Sequence, residues 1–250
     1  MELKYKTLGE GKKAVFFLHE LMGDSRNYNA IIPYLNIKDF KYFFIDLRGY
    51  GLSIKLKGSY SCSEAIEDIL TIIKKEKLSK VNLVGHSMSA LIAQSFAISY
   101  ENYLENLILI TPVLASGVKM KEEAKQKLLK DMQEDNKIEE VVLNSSKRYN
   151  QTWIDYRINM AYTSSTKEAR VGYMKMYLNE DFSNEASKIT VPVKAIVGKY
   201  DFVVFSKAVV NKAFKSWYKN LELIEFEEAG HYPMIETPVL FASKLEEFLL

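Results

Sequence analysis

Val81-Asn82-Leu83-Val84-Gly85-His86-Ser87-Met88-Ser89 leads directly into Ala90-Leu91-Ile92-Ala93. The first four residues read as a strand buried on both faces, and the apolar continuation reads as the opening of a helix. Between them the chain must reverse sharply, which puts Ser87 at the apex of a strand–turn–helix unit. So tight a turn strains the serine backbone and brings strand and helix close together. The residues two before and two after it therefore need small side chains. Gly85 and Ser89 meet that need, with Ser89 standing where the pattern Gly-x-Ser-x-Gly has its second glycine.

Similar short apolar runs recur on either side, at Ala14–Leu18, Tyr42–Ile45, Leu107–Ile110, Val193–Val197 and Leu221–Phe226. Helical stretches are predicted between them at about Arg26–Leu35, Ser61–Lys77, Ser89–Tyr100, Ser206–Trp217 and Pro238–Leu249. Ser61-Cys62-Ser63-Glu64 has capping-box spacing, in which serine and glutamate satisfy each other's exposed amides at a helix start. The alternation predicts an α/β class fold with a doubly wound, mostly parallel central sheet flanked by helices.

The rhythm breaks between Pro112 and about Lys188, where strand-like runs give way to Lys, Glu, Met and Tyr at helix-like spacing. The expected organisation is a core of residues 1–112 and 188–250 with a helical cap at 113–187. Trp153, Tyr156 and Met160 fall at three- and four-residue steps on one side of a helix, and Met174 and Tyr177 do the same on a later one. Such stripes serve first to hold the cap to itself. The sharper reading has some of them roofing an apolar pocket, which makes Trp153, Tyr156 and Met160, together with Tyr232, candidate substrate-binding residues. Arg148, Arg157 and Arg170 lie in the same segment, and one turned inward would grip a carboxylate.

A serine hydroxyl needs a base to take its proton as it attacks. The chain has three histidines. His86 adjoins Ser87 and is expected beneath the turn, whereas His19 follows the first apolar run and is expected to shape a loop. His231, in Glu228-Ala229-Gly230-His231-Tyr232-Pro233, lies in a turn-rich loop at the carboxyl end of a strand, where an α/β sheet places its chemistry. It is the candidate base. Asp201, reached from Val193–Val197 through Gly198-Lys199-Tyr200, is the candidate acceptor for the base's other ring nitrogen, with Asp181 and Glu180 as fallbacks. Acyl transfer also needs amides aimed at the developing oxyanion, and those of Leu21 and Met88 are the candidates.

These motifs together resemble the α/β-hydrolase superfamily over nearly the whole chain. Asp46-Leu47-Arg48-Gly49-Tyr50-Gly51-Leu52-Ser53 is similar to the D-x-R-G-x-G-x-S loop of these proteins, and the segments around Asp201 and His231 resemble their acid and histidine loops. The resemblance implies an α/β-hydrolase fold with a helical cap, a Ser-His-Asp hydrolase, and no metal or organic cofactor. Two features depart from it. The family often has His-Gly where this chain has His19-Glu20, which sets a carboxylate beside the proposed oxyanion loop, and Ser89 replaces a glycine. The elbow also resembles the subgroup of stress-signalling hydrolases and hormone receptors in which slow hydrolysis serves sensing. Ser87 argues against haloalkane dehalogenase and epoxide hydrolase activities, whose nucleophile is aspartate.

Bulk properties exclude other classes. With 34 Lys and Arg against 32 Asp and Glu, the formal net charge of +2 gives no field for nucleic acid. The lone Cys62 forms no intramolecular disulfide, and no apolar run approaches a membrane span or a signal-peptide core, so a cytoplasmic location is expected. The expected partner is a small-molecule acyl substrate, with no membrane and no nucleic acid, for a monomer or homodimer. The leading expectation is hydrolysis of a small or medium carboxylic ester through an acyl-enzyme. The alternatives are a carbon–carbon bond hydrolase or menaquinone-pathway-type lyase acting on a carboxylate-bearing substrate, and a hydrolase-like ligand sensor.

Overall fold

The apolar runs become parallel strands, as their composition requires. The computed structural model describes residues 2–145 and 148–250, with backbone alone at 135 and 136. Among these residues one seven-stranded sheet forms from β1 (Lys4–Leu8), β2 (Lys13–Leu18), β3 (Phe40–Asp46), β4 (Val81–His86), β5 (Leu104–Ile110), β6 (Val193–Gly198) and β7 (Leu221–Phe226). Their order is β1-β3-β2-β4-β5-β6-β7; β1 pairs antiparallel with β3, and every other pairing is parallel. The edge strand β1 was not among the expected strands, because its sequence KYKTL is half polar and mostly exposed.

Alternation along the strands divides the core in two. Phe16 and Leu18 of β2 face one side with Leu83 of β4 and Leu107 and Leu109 of β5. On that side they meet α1 (Cys62–Lys75), α2 (Met88–Tyr100) and α7 (Lys207–Trp217). Val15 and Phe17 face the other side with Val84, Ile108 and Ile196, against α9 (Pro238–Leu249) and the segment Ser25–Tyr34. Each strand end is thus clamped between helix layers, which gives the loops at the carboxyl edge a rigid base.

Local signals act largely as their chemistry predicts. The Ser61 hydroxyl accepts from the Glu64 amide at 3.2 Å and starts α1. Glu64 does not return the bond to Ser61; its Oε2 accepts from the Tyr60 amide at 2.9 Å, one residue further back. The helix expected over Arg26–Leu35 is a 3-10 helix, Ser25–Tyr34, with Pro33 inside it and Asp24 at its N-cap.

Between β5 and β6 lie α3 (Glu122–Asp131), α4 (Asp135–Ser145), α5 (Gln151–Ser164) and α6 (Lys167–Asn179). This segment is pinned to the loop after β3: the Thr166 amide donates to Gly49 O at 2.9 Å, and Tyr50 bridges to Ser165. Gly49 has φ of 77°, and a β-carbon there would fall 2.2 Å from Ala169 Cβ, so glycine is needed for both conformation and space. Among the described residues no helix is long and apolar enough to cross a membrane.

Candidate active site

Ser87 sits between β4 and α2 with φ of 54° and ψ of −114°, a conformation that costs a non-glycine residue ~1–3 kcal/mol and persists only where its surroundings enforce it. They do so here. The Ser87 amide donates to Ile110 O at 2.9 Å, and its carbonyl accepts from Val113 at 3.1 Å. A β-carbon on Gly85 would lie 2.5 Å from Ser89 O, so glycine is what lets strand and helix meet.

The loops after β6 and β7 bring Asp201 and His231 to this apex. Their approach is close enough that a β-carbon on Gly198 would fall 2.0 Å from Gly230 O. His231 Nε2 is 3.0 Å from Ser87 Oγ, and its Nδ1 is 2.8 and 3.0 Å from the two Asp201 carboxylate oxygens. Asp201 accepts only, so Nδ1 carries the proton and Nε2 is left to accept from Ser87. The Asp201 side chain has no exposure, and Oδ1 also accepts from the Phe202 amide at 2.7 Å. Burial opposes charging of His231, but the charge and hydrogen bond of Asp201, helped by Glu20 and Glu236, outweigh it and hold the imidazole pKa above 6.5. Of the fallback acids, Asp181 pairs at 2.6 Å with Lys119, whose hydrogen bond pulls its carboxyl down to about 2. Glu180 closes α6.

His86 is fully buried beneath the turn, where its Nε2–H donates to His231 O at 2.8 Å. Burial keeps its pKa far below 6.5, so it remains neutral, and its unpartnered Nδ1 is then an acceptor and not a stranded charge. Glu236, in the short helix α8 (Pro233–Glu236), holds the same loop. Its carboxylate takes the Gly230 amide at 2.7 Å and the Tyr232 amide at 2.8 Å, so it grips the backbone on both sides of His231. It also accepts from Tyr149 Oη at 2.7 Å, which ties the helical segment between β5 and β6 to the histidine loop. Sequence reasoning missed Glu236. Its one local signal is its place five residues after His231 in a proline-flanked turn.

The loop after β2 faces Ser87 and is shaped by side chains. Tyr50 Oη donates to Leu21 O at 2.7 Å, and the Ser89 hydroxyl donates to His19 O. His19 donates through Nδ1 to Glu20 O at 2.8 Å and accepts the Leu47 amide at Nε2 at 3.1 Å. Glu20 Oε2 accepts from the Met22 amide, and Oε1 accepts from Asn27 Nδ2 and Arg157 Nη2, each at 3.1 Å. Leu21 lines the same cavity as Ser87, and Met88 is the first residue of α2, where helix amides have no partner within the helix. Leu21 thus borders the cavity, and Met88 adjoins Ser87 at the helix start.

That cavity has a volume of about 230 Å³, with Ser87, His231 and Glu20 in its wall. Val113, Val118, Leu128, Met132, Val141 and Met174 make it mainly apolar. Of the four residues expected to bind substrate, Tyr232 lines it. Trp153, Tyr156 and Met160 do not, which corrects their expected place. The reason lies in how α5 docks: Trp153 packs on Tyr149 and Tyr232 from outside the cavity, Tyr156 is 41% exposed, and Met160 is buried elsewhere. The roof comes from α3, α4 and α6, with Met174 and Tyr177 of the later stripe.

Arg148, Arg157 and Arg170 likewise stay out of the lining. Arg148 donates to Glu228 O at 2.9 Å and stacks on Tyr200. Arg170 is buried near Ala161 O and Ser165 Oγ. Arg157 is turned inward but is held by Glu20.

Comparison with known proteins agrees with this architecture. A Bacillus subtilis (strain 168) protein provisionally named 2-succinyl-6-hydroxy-2,4-cyclohexadiene-1-carboxylate synthase is 27% identical, over 99% of this chain and 95% of its own. A pimeloyl-[acyl-carrier protein] methyl ester esterase of Legionella pneumophila (strain Corby) is 26% identical over 100% of both. The solved structure of an esterase from Exiguobacterium antarcticum superposes with a TM-score of 0.87 at 21% identity, covering 99% of this chain and 95% of that one. Residues 9–238 match the hydrolase family described as serine aminopeptidase, S33, and the chain belongs to that family of α/β-hydrolases.

Proposed function

We propose that the protein is a serine esterase that cleaves small or medium carboxylic esters through an acyl-enzyme, with residues 113–187 as a cap over the site. One observation carries this reading: Ser87 Oγ lies 3.0 Å from His231 Nε2, in a cavity whose wall is mainly apolar. Ser87 Oγ attacks the ester carbonyl while His231 Nε2 takes its proton. Asp201 fixes the tautomer and stabilises the imidazolium as it forms. The amides of Leu21 and Met88 receive the negative charge on the carbonyl oxygen, which is worth about 10²–10³ in rate per donor in such sites. His231 then gives its proton to the departing alcohol. A water deprotonated by the same nitrogen attacks the acyl-enzyme and releases the acid. The name of the Legionella relative supports an ester substrate.

The Bacillus relative favours a second reading, a lyase or carbon–carbon bond hydrolase acting on a carboxylate-bearing substrate. Such a substrate calls for a cation in the pocket, and among the described lining residues there is no lysine or arginine.

Labelling with a fluorophosphonate probe tests the assignment. Wild type should label, Ser87→Ala and His231→Ala should not, and turnover of p-nitrophenyl butyrate should fall about a thousandfold or more in each variant. A Ser87→Ala protein that keeps wild-type turnover would remove the basis of the reading.

A further inference from the structure

Arg157 enters the interior from α5 and is 1% exposed. Its guanidinium lies 3.8 Å from the centre of the Tyr232 ring, directly beside the candidate base. A guanidinium so far from water requires an anion. Glu20 supplies one, with Oε1 3.1 Å from Nη2, while Asn27 Oδ1 takes Nη1 at 2.8 Å. Glu20 forms part of the cavity wall beside Ser87 and His231, and Arg157 does not. A ligand in the cavity therefore meets the carboxylate and not the cation behind it. The space held by the Glu20 carboxyl adjoins both the cavity and the guanidinium, and Arg157 Nε has no hydrogen-bond partner, so the cation keeps an unused donor. The field of Glu20 is also felt across the site: it adds to the rise that burial gives the Tyr177 pKa, and at His231 it adds to the rise from Asp201 that outweighs burial.

Resting on the esterase reading, we infer that Glu20 is a built-in carboxylate that occupies Arg157 and sets substrate class: the pocket takes esters with neutral, apolar acyl groups and rejects those whose acyl group ends in a carboxylate. Removing the Glu20 charge exposes Arg157 as a carboxylate receptor. The same fold would then accept half-esters of short dicarboxylic acids.

The test compares p-nitrophenyl butyrate with mono-p-nitrophenyl succinate, which differ in a terminal carboxylate. In wild type, kcat/KM for the anionic ester should be about a hundredfold lower, since like charges brought together in a site are strongly disfavoured. Glu20→Gln, which keeps the side-chain shape, and Glu20→Gly, which opens the space, should each raise the anionic-to-neutral ratio about tenfold or more. The neutral pair Glu20→Gln with Arg157→Met should keep only the part of the gain that comes from removing the like charge and lose the part that Arg157 supplies. Equal use of the two esters by wild type, or a gain as large without Arg157 as with it, overturns the inference. A readout independent of turnover is the thermal midpoint in glutarate. It should rise in Glu20→Gly, where the space in front of Arg157 is open, but not in wild type or the double variant. If wild type neither labels nor cleaves either ester, the esterase reading fails. The glutarate shift still decides whether Glu20 masks Arg157.

Discussion

The loops after β4 and β2 face each other across Ser87, yet they are held by opposite means. The β4 loop is fixed by its own backbone: Ser87 has φ of 54°, and Gly85 leaves no room for a β-carbon. The β2 loop is fixed by side chains from other elements: Tyr50 from the loop after β3, Ser89 from α2 and Arg157 from α5 all reach into it. Backbone constraint restricts residue type within a few positions, so it leaves a pattern in the sequence. Side-chain bracing couples residues far apart, and it leaves none.

The largest effect should come from breaking the bracing at its one buried charge pair. Arg157→Met strands the Glu20 carboxylate inside the protein, and losing one partner of a buried ion pair costs about 3–5 kcal/mol. Chemical denaturation should show that loss, with Glu20→Gln restoring part of it in the double variant. If the single variant were as stable as wild type, the pair would not be what holds the β2 loop.

Gly85→Ala attacks the other loop. The added methyl would meet Ser89 O at 2.5 Å and Ala90 Cα at 2.9 Å, both backbone atoms that cannot rotate away. Overpacking of this kind costs about 1–3 kcal/mol or more, and fluorophosphonate labelling should be lost even in protein that remains folded, because Ser87 must shift. Normal labelling would show that the elbow tolerates more separation than its contacts suggest.

This contrast explains what was legible in the sequence. Ser87, Asp201 and His231 were named from motif and order, and the structure brings them within hydrogen-bonding distance. Ser87 and Asp201 stand at strand ends in turns whose glycines, Gly85 and Gly198, mark close backbone approaches, the second of them to Gly230 beside His231. The strands between them were readable because burial on both faces demands continuous apolar residues. Glu20 departs from the family pattern, but its partner Arg157 lies 137 residues away, and no local pattern links them. Trp153, Tyr156 and Met160 all lie on α5, yet Tyr156 is exposed and Met160 buried. Which neighbour each would meet depends on how α5 docks against Tyr232, a tertiary fact with no periodic signature.

Smaller effects should come from single braces of the β2 loop. Tyr50→Phe leaves the buried Leu21 carbonyl without its 2.7 Å donor and should cost about 1–2 kcal/mol. If Leu21 donates to the oxyanion, kcat should fall with little change in KM, since the amide acts mainly on the transition state. A purely structural role would lower stability and leave both constants alone.

The smallest effect carries the comparison to the base itself. His231 must be neutral to accept the Ser87 proton, so kcat/KM should rise with pH through a midpoint above 6.5. Stability runs the other way. A folded pKa above the unfolded value means that the protonated pair with Asp201 adds stability below the unfolded pKa, and that this contribution is lost as pH rises through the folded one. Burial depresses the His231 pKa and Asp201 supplies most of the opposing rise, but Glu20, on the side-chain-braced loop, adds to it. Glu20→Gln should therefore move the kcat/KM midpoint for a neutral ester to lower pH, making the enzyme relatively more active in mild acid. A midpoint that stays in place would mean that the two loops meet at Ser87 without sharing their electrostatics, and that Glu20 acts on Arg157 alone.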